Sequence, residues 1–172
     1  VLILTPHYNH SDLVIKALNK GKAVYVEKPL ALDMQSITDI EESLYRSENP
    51  KLFIGFNRRF SKSAQFIKQK LINSPANSIN LRFSVPPLDS DHWTNIKEIG
   101  GGRILGEAVH GIDLACYLFD SLPQSISASA PVDKTKNMVK DNQVFLNINF
   151  TNGSHASLQY FSEANQILSK ER

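Results

Sequence analysis

Lysine and histidine are side chains suited to moving protons at near-neutral pH, and one of each stands where the chain could aim it at a ligand. Lys28 lies between Glu27 and Pro29, and a proline disfavours helical backbone in the residue before it, so the amine belongs to a strand end or a turn. There it can donate to a substrate hydroxyl, with burial lowering its pKa toward a useful range. The alternative is a surface lysine paired with Glu27. His110 has Glu107 three residues before it and Asp113 three after, a spacing that lines all three along one helix face. One carboxylate can fix the imidazole tautomer while the other ring nitrogen works as acid or base. The same groups could equally form a surface network, or Glu107 and His110 could hold a metal together with a distant ligand.

Weaker candidates surround these two. Cys116 is the only cysteine, lies six residues from His110 and sits among apolar neighbours, which reads as a buried structural thiol rather than a nucleophile. Arg58 and Arg59 are adjacent; one could meet a cofactor phosphate and the other a carboxylate of its own protein. Trp93, beside His92, could stack on a ring or seal a loop. The run Gly100-Gly101-Gly102 either lets backbone approach a ligand or forms a loose turn. It lacks the spacing and the preceding strand of a dinucleotide fingerprint, and no such fingerprint occurs in the chain.

The elements that must position these groups follow from hydrophobic periodicity. Residues 1–4 form an apolar run ending at Thr5-Pro6 and predict a strand buried on both faces. His10-Ser11-Asp12 offers capping groups for a helix ended by Gly21. Residues 23–26 predict a second strand, Asp33 can cap a helix through about Ser47 whose apolar positions include Met34, Ile37, Ile40 and Leu44, and residues 52–55 predict a third strand. That order is a right-handed parallel βαβαβ unit, in which functional residues gather at the carboxyl ends of strands. Those ends are Thr5-Pro6, Glu27-Lys28 and residues 55–58.

Beyond Phe60 the pattern changes. Residues 61–71 predict a helix, 78–83 a strand, 85–95 an irregular loop and 105–119 an apolar helical segment, with β-leaning stretches at 125–130, 143–150 and 154–161. Val144, Leu146, Ile148 and Phe150 alternate with polar residues, which is a one-sided sheet, and Asn152-Gly153 is a hairpin signal. The fold class is therefore a Rossmann-type parallel βαβαβ segment followed by an α+β part with an open, mostly antiparallel sheet. The other face of that sheet needs a cover or a partner, and residues 162–172 are too short and polar to supply it.

Composition excludes several classes. With 172 residues, 41% hydrophobic and 21% charged, the chain is globular and holds one domain or pieces of two. Its 19 Lys and Arg against 17 Asp and Glu are scattered rather than clustered, which argues against nucleic acid. No apolar run is long enough to span a membrane and nothing at the start marks export, so the expected compartment is the cytoplasm.

Taken together, Thr5-Pro6 with His10, Gly21-Lys22, Glu27-Lys28-Pro29-Leu30-Ala31, Gly55-Phe56-Asn57-Arg58-Arg59-Phe60 and Gly100-Gly101-Gly102 ahead of His110 and Asp113 resemble the Gfo/Idh/MocA family of nicotinamide-dependent dehydrogenases, and within it a sugar-related branch. The resemblance implies the carboxyl-terminal part of a Rossmann domain over residues 1–57 and a substrate-binding and oligomerisation domain over 58–172, truncated at its end. The family's dinucleotide fingerprint would lie upstream of Val1, so this chain alone should bind cofactor poorly.

The resemblance also implies roles. Hydride would pass between NAD or NADP and a hydroxyl-bearing carbon of a sugar or nucleotide sugar, with Lys28 and His110 as the proton-handling pair. Asp113, Glu107 and Trp93 would bind substrate. Thr5, Pro6, His10, Glu27, Lys28 and Arg58 would lie beside the cofactor, no metal is implied, and the open sheet would form a homo-oligomer contact. One departure stands out: many members carry aspartate four residues before the histidine, where this chain has Gly106. On an α-helix Glu107 would point about 100° away from that direction. A non-catalytic sugar-binding or regulatory member, or a structural module, is the competing reading.

Overall fold

Short apolar strands separated by amphipathic helices build the first unit of a computed structural model that describes residues 1–172 except 73, 75–76, 90, 134–137, 140–141, 166 and 168–172. The chain divides into two compact units, Val1–Phe56 with Asp91–Gly106, and Asn57–Ser90 with Glu107–Arg172.

In the first unit β1 (Leu2–Ile3), β2 (Val24–Val26) and β3 (Leu52–Ile54) form a parallel sheet in that order. Helices α1 (His10–Leu18) and α2 (Met34–Arg46) cross between them. Ile3, Val24 and Val26 are buried with Val14, Leu18 and Ile40, each such side chain contributing about 1.5–3 kcal/mol. The strand at the start is not buried on both faces: Leu2 is 73% and Leu4 66% exposed. Leu2, Tyr25 and Phe53 share one register row on the sheet face opposite the helices, and the Tyr25 and Phe53 rings stack at 5.6 Å.

Local signals explain the helix ends. Asp33 caps α2 by accepting from the Ser36 backbone N–H at 2.8 Å. Ile40 is 1% exposed but Met34, at the first turn, is 76% exposed, so the apolar stripe begins later than its spacing predicts. No side chain caps α1; a 3-10 turn, His7–Asn9, leads into it, and Gly21, at φ +63°, ends it. The segment Asp91–Gly106 contains a 3-10 turn, Trp93–Asn95, inside the stretch 85–95 predicted as irregular loop, and then one helical turn, α4 (Lys97–Gly100).

In the second unit α3 (Lys62–Leu71, capped by Ser61) packs on α5 (Val109–Phe119), and α5 lies against a four-stranded sheet. Its strands are β4 (Ser78–Ser84), β5 (Pro123–Ser129), β8 (Gln143–Phe150) and β9 (His155–Phe161), in the order β4-β9-β8-β5. The β8–β9 and β5–β8 pairs are antiparallel, whereas β4 runs parallel to β9 over seven matched residues. Short strands β6 (Val132–Asp133) and β7 (Met138–Val139) pair separately. Val144, Leu146, Ile148 and Phe150 are buried as their alternation predicts, facing the core with Ala156, Leu158 and Tyr160. Gly111 lets α5 lie flush on this layer, since a Cβ there would come within 2.5 Å of Leu158 Cδ1. Most of residues 162–172, expected to leave the outer face uncovered, lie outside the described residues.

Candidate functional site

Buried backbone carbonyls require donors, and in the first unit three basic side chains supply them. Lys28 stands just past the carboxyl end of β2 and donates through Nζ to the Gly106 carbonyl at 2.6 Å. His10, 0% exposed, places Nδ1 2.7 Å from the Pro29 carbonyl and Nε2 2.9 Å from the Thr5 carbonyl. His7 holds the Gly100 carbonyl at 2.7 Å through Nδ1. Its ring lies 5.6 Å from that of His10 and meets Trp93 edge-on at 4.7 Å. These contacts bring Thr5, His10, Lys28 and Trp93 into one neighbourhood. A histidine between Pro6 and Tyr8 carries no spacing signal, so the sequence alone does not point to His7.

The triple glycine is required by its own chain. A Cβ on Gly100 would fall 2.3 Å from Thr94 Cα, one on Gly101 would fall 2.6 Å from Leu32 Cδ2, and Gly101 is at φ +74°. By contrast a Cβ on Gly106 would meet nothing nearer than His7 Cε1 at 3.4 Å. Glu27 accepts from the Tyr25 hydroxyl at 3.0 Å, and burial, then this bond, push the Tyr25 pKa up. Thr5 and Pro6 are exposed at the end of β1.

In the second unit His110 is 4% exposed near the start of α5. Asp113, one turn later, forms a bidentate pair with Arg59, whose Nε donates at 3.0 Å and whose Nη2 also donates. That hydrogen-bonded carboxylate holds the Arg59 guanidinium above its ordinary pKa. Arg58 lies over the Phe83 ring at 5.3 Å. Glu107 belongs to a π turn, Ile104–Ala108, so the α-helical spacing that relates His110 to Asp113 does not extend to it. Such turns recur at functional sites, and nothing in the residue pattern distinguishes one from the first turn of an α-helix. Cys116 is half-buried and lines an open cleft of about 610 Å³ with Arg59, Tyr117 and Thr151. Burial, then the Asp113 charge, raise its thiol pKa. Among the described residues no group of three or more His, Cys, Asp or Glu could hold a metal, and no helix is long and apolar enough to cross a membrane.

Two family models match the chain. One, described as an oxidoreductase family with an NAD-binding Rossmann fold, covers residues 1–56, and the other, described as a GFO/IDH/MocA C-terminal domain, covers 75–167. The chain is 29% identical over 138 residues, 77% of its length, to inositol 2-dehydrogenase of Rhizobium meliloti. It is 31% identical over 135 residues, 74% of its length, to scyllo-inositol 2-dehydrogenase (NAD(+)) of Bacillus subtilis. A solved levoglucosan dehydrogenase in complex with NADH and levoglucosan superposes with a TM-score of 0.79 at 25% identity over 96% of the chain. The chain spans 40% and 37% of the two curated relatives and 48% of the solved chain.

Proposed function

Because the chain belongs to the Gfo/Idh/MocA oxidoreductase family, we propose that the protein containing it transfers hydride between NAD or NADP and a hydroxyl or keto carbon of a sugar or nucleotide sugar. The observation that carries this reading is the Lys28 amine, oriented by a main-chain carbonyl at 2.6 Å at the strand ends where doubly wound sheets take ligands. Thr5, Pro6 and Glu27 occupy the same ends of adjoining strands and suit the nicotinamide side of the cofactor, whereas a glycine-rich pyrophosphate turn is not present in this sequence. The nicotinamide, when bound, supplies the hydride acceptor or donor.

Within this reading Lys28 hydrogen-bonds the reacting hydroxyl and shifts its proton, with the amine's direction set before substrate arrives. His110 is the second acid/base group. Trp93 and Glu107 contact the sugar, and Arg58 contacts the cofactor. His10 serves the cofactor side through the loop it holds. Asp113 reaches substrate only by sharing its pair with Arg59. The polar outer face of the sheet, where Ser157 donates to Asn147 and Asn149 to Ser125, is the homo-oligomer contact. No membrane or nucleic acid is involved, and a single cysteine suits the reducing cytoplasm.

The test is cofactor reduction by the full-length protein with NAD and with NADP, offered myo-inositol, scyllo-inositol, levoglucosan and nucleotide sugars. Lys28→Ala and His110→Ala should each lower single-turnover hydride transfer by about 10²–10⁴, and rates within about threefold of the parent for both would refute the roles. The absence of a carboxylate at Gly106 favours one second reading, a non-catalytic sugar-binding or regulatory member. It predicts cofactor binding without turnover on any of these sugars.

A further inference from the structure

The His10 imidazole is fully buried and touches two main-chain carbonyls of different strand ends, Thr5 after β1 and Pro29 after β2. A carbonyl only accepts and a neutral imidazole carries a single N–H, so in that form one of the two contacts takes the ring's proton. The shorter contact, 2.7 Å, is Nδ1 to Pro29, and Pro29 is the residue bonded to Lys28. The tip of Lys28 is fixed by Gly106 O at 2.6 Å. Six residues before Gly106, the Gly100 carbonyl is held by His7 at 2.7 Å. The lysine is thus anchored at both ends, and the anchor at its root is His10.

We propose that His10 is a positioning residue for the Lys28 amine: its Nδ1–H holds the Pro29 carbonyl and so sets the direction from which the lysine side chain leaves the strand end. The catalytic part of this proposal rests on the reading of Lys28 as a proton-handling group, but the placement does not. The Nε2 contact to Thr5 joins two strand ends and serves packing. Removing the Nδ1 donor would leave the Pro29 carbonyl buried without it and let the loop carrying Lys28 turn. A displacement of about 1 Å at a reacting group is enough to cost about a hundredfold in rate.

Two amides separate the contacts. In His10→Asn the carboxamide nitrogen falls near the place of Nδ1, and in His10→Gln near that of Nε2. In the full-length protein, acetylation of Lys28 by an N-hydroxysuccinimidyl acetate, read by peptide mass spectrometry, reports the amine's environment without any substrate. His10→Asn should leave that rate within about twofold of the parent and His10→Gln should raise it about fivefold or more, at matching Tm, because only the latter releases the lysine root. With the best substrate of the panel, His10→Gln should lower kcat about tenfold or more with KM within about twofold, while His10→Asn keeps kcat within about threefold.

Equal acetylation rates in the two variants, or changes that merely follow Tm, would overturn the proposal. If neither variant folds, proton–nitrogen correlation NMR of the parent decides: a proton on Nδ1 of His10 supports the assignment, and a proton on Nε2 alone overturns it. Lys28→Ala with unchanged kcat would defeat the functional reading instead, leaving the acetylation comparison to judge the placement.

Discussion

Around Lys28 in the first unit three basic side chains grip backbone, whereas Arg59 in the second unit grips a side chain. Lys28, His10 and His7 reach the carbonyls of Gly106, Pro29, Thr5 and Gly100. Arg59 instead reaches the carboxylate of Asp113. A carbonyl is present whatever residue carries it and never titrates, so the first arrangement depends on the path of the chain. The second depends on the identity and charge of one partner. The same contrast explains the glycines, because a grip on backbone needs backbone brought close. At Gly100 that approach leaves no room for a methyl group, while at Gly106 only the carbonyl is used.

The sharpest way to break this comparison is to add one carbon at each glycine. Gly100→Ala puts a Cβ 2.3 Å from Thr94 Cα, a clash with backbone that cannot rotate away, and should cost about 3 kcal/mol or prevent folding. The corresponding fall in Tm is roughly 6–12 °C. Gly106→Ala, which meets only His7 Cε1 at 3.4 Å, should stay within about 1 kcal/mol of the parent and keep Lys28 on the same carbonyl. Equal losses in thermal melts would show that the glycine run is not set by its approach to Thr94.

Next in size is the side-chain pair. Asp113→Asn keeps the shape of the carboxylate but removes its charge from Arg59, whose side chain is 34% exposed against 8% for Asp113. Solvent screening at the arginine limits the loss to about 1–2 kcal/mol, measured as a shift of the urea midpoint. A Gln substitution at Glu27, which accepts from the Tyr25 hydroxyl, should move that midpoint less.

These unequal sensitivities also mark what the residue pattern could and could not reveal. The βαβαβ order, the Asp33 cap and the alternation of Val144 through Phe150 were legible because each depends on local periodicity or a local cap. The placement of Lys28 at a strand end was legible from Pro29. The carbonyl at Gly106, the donor at His7 and the pairing of Asp113 with Arg59 were not, since each joins residues from 54 to 93 positions apart. A π turn at Ile104–Ala108 likewise differs from an α-helical start by a hydrogen-bond register that hydrophobic spacing does not encode. The return of Asp91–Gly106 to the first unit leaves no mark in composition.

A smaller effect tests the electrostatics of the side-chain region through Cys116. The thiol lines an open cleft, so reagents can reach it, while burial and the Asp113 charge raise its pKa and Arg59 lowers it. Thiolate is the reactive form, so iodoacetamide should react more slowly than with an unperturbed cysteine at mildly alkaline pH. Asp113→Asn should speed that reaction about twofold to threefold, and Arg59→Ala should slow it. A rate that ignores both substitutions would mean that the cleft, not the charge, governs access.

The smallest effect probes the carboxylate in the first unit that does grip backbone. Asp33 accepts from Ser36 N at 2.8 Å and from Ser36 Oγ at 3.0 Å, and the backbone bond, then the side-chain bond, hold its pKa below the ordinary carboxylate value. A carboxylate with a depressed folded-state pKa stabilises above its unfolded value of about 3.9, and loses that contribution as pH falls through the folded value. The Tm difference between the parent and Asp33→Ala should therefore be present at neutral pH, persist down to about pH 4 and close only in stronger acid. Hydrogen exchange at the first turn of α2 should rise over that same acid interval, while the Lys28 loop, held by carbonyls that do not titrate, should keep its protection until the fold itself is lost. A simultaneous rise in both segments would remove the distinction between a carboxylate grip and a carbonyl grip on which the comparison depends.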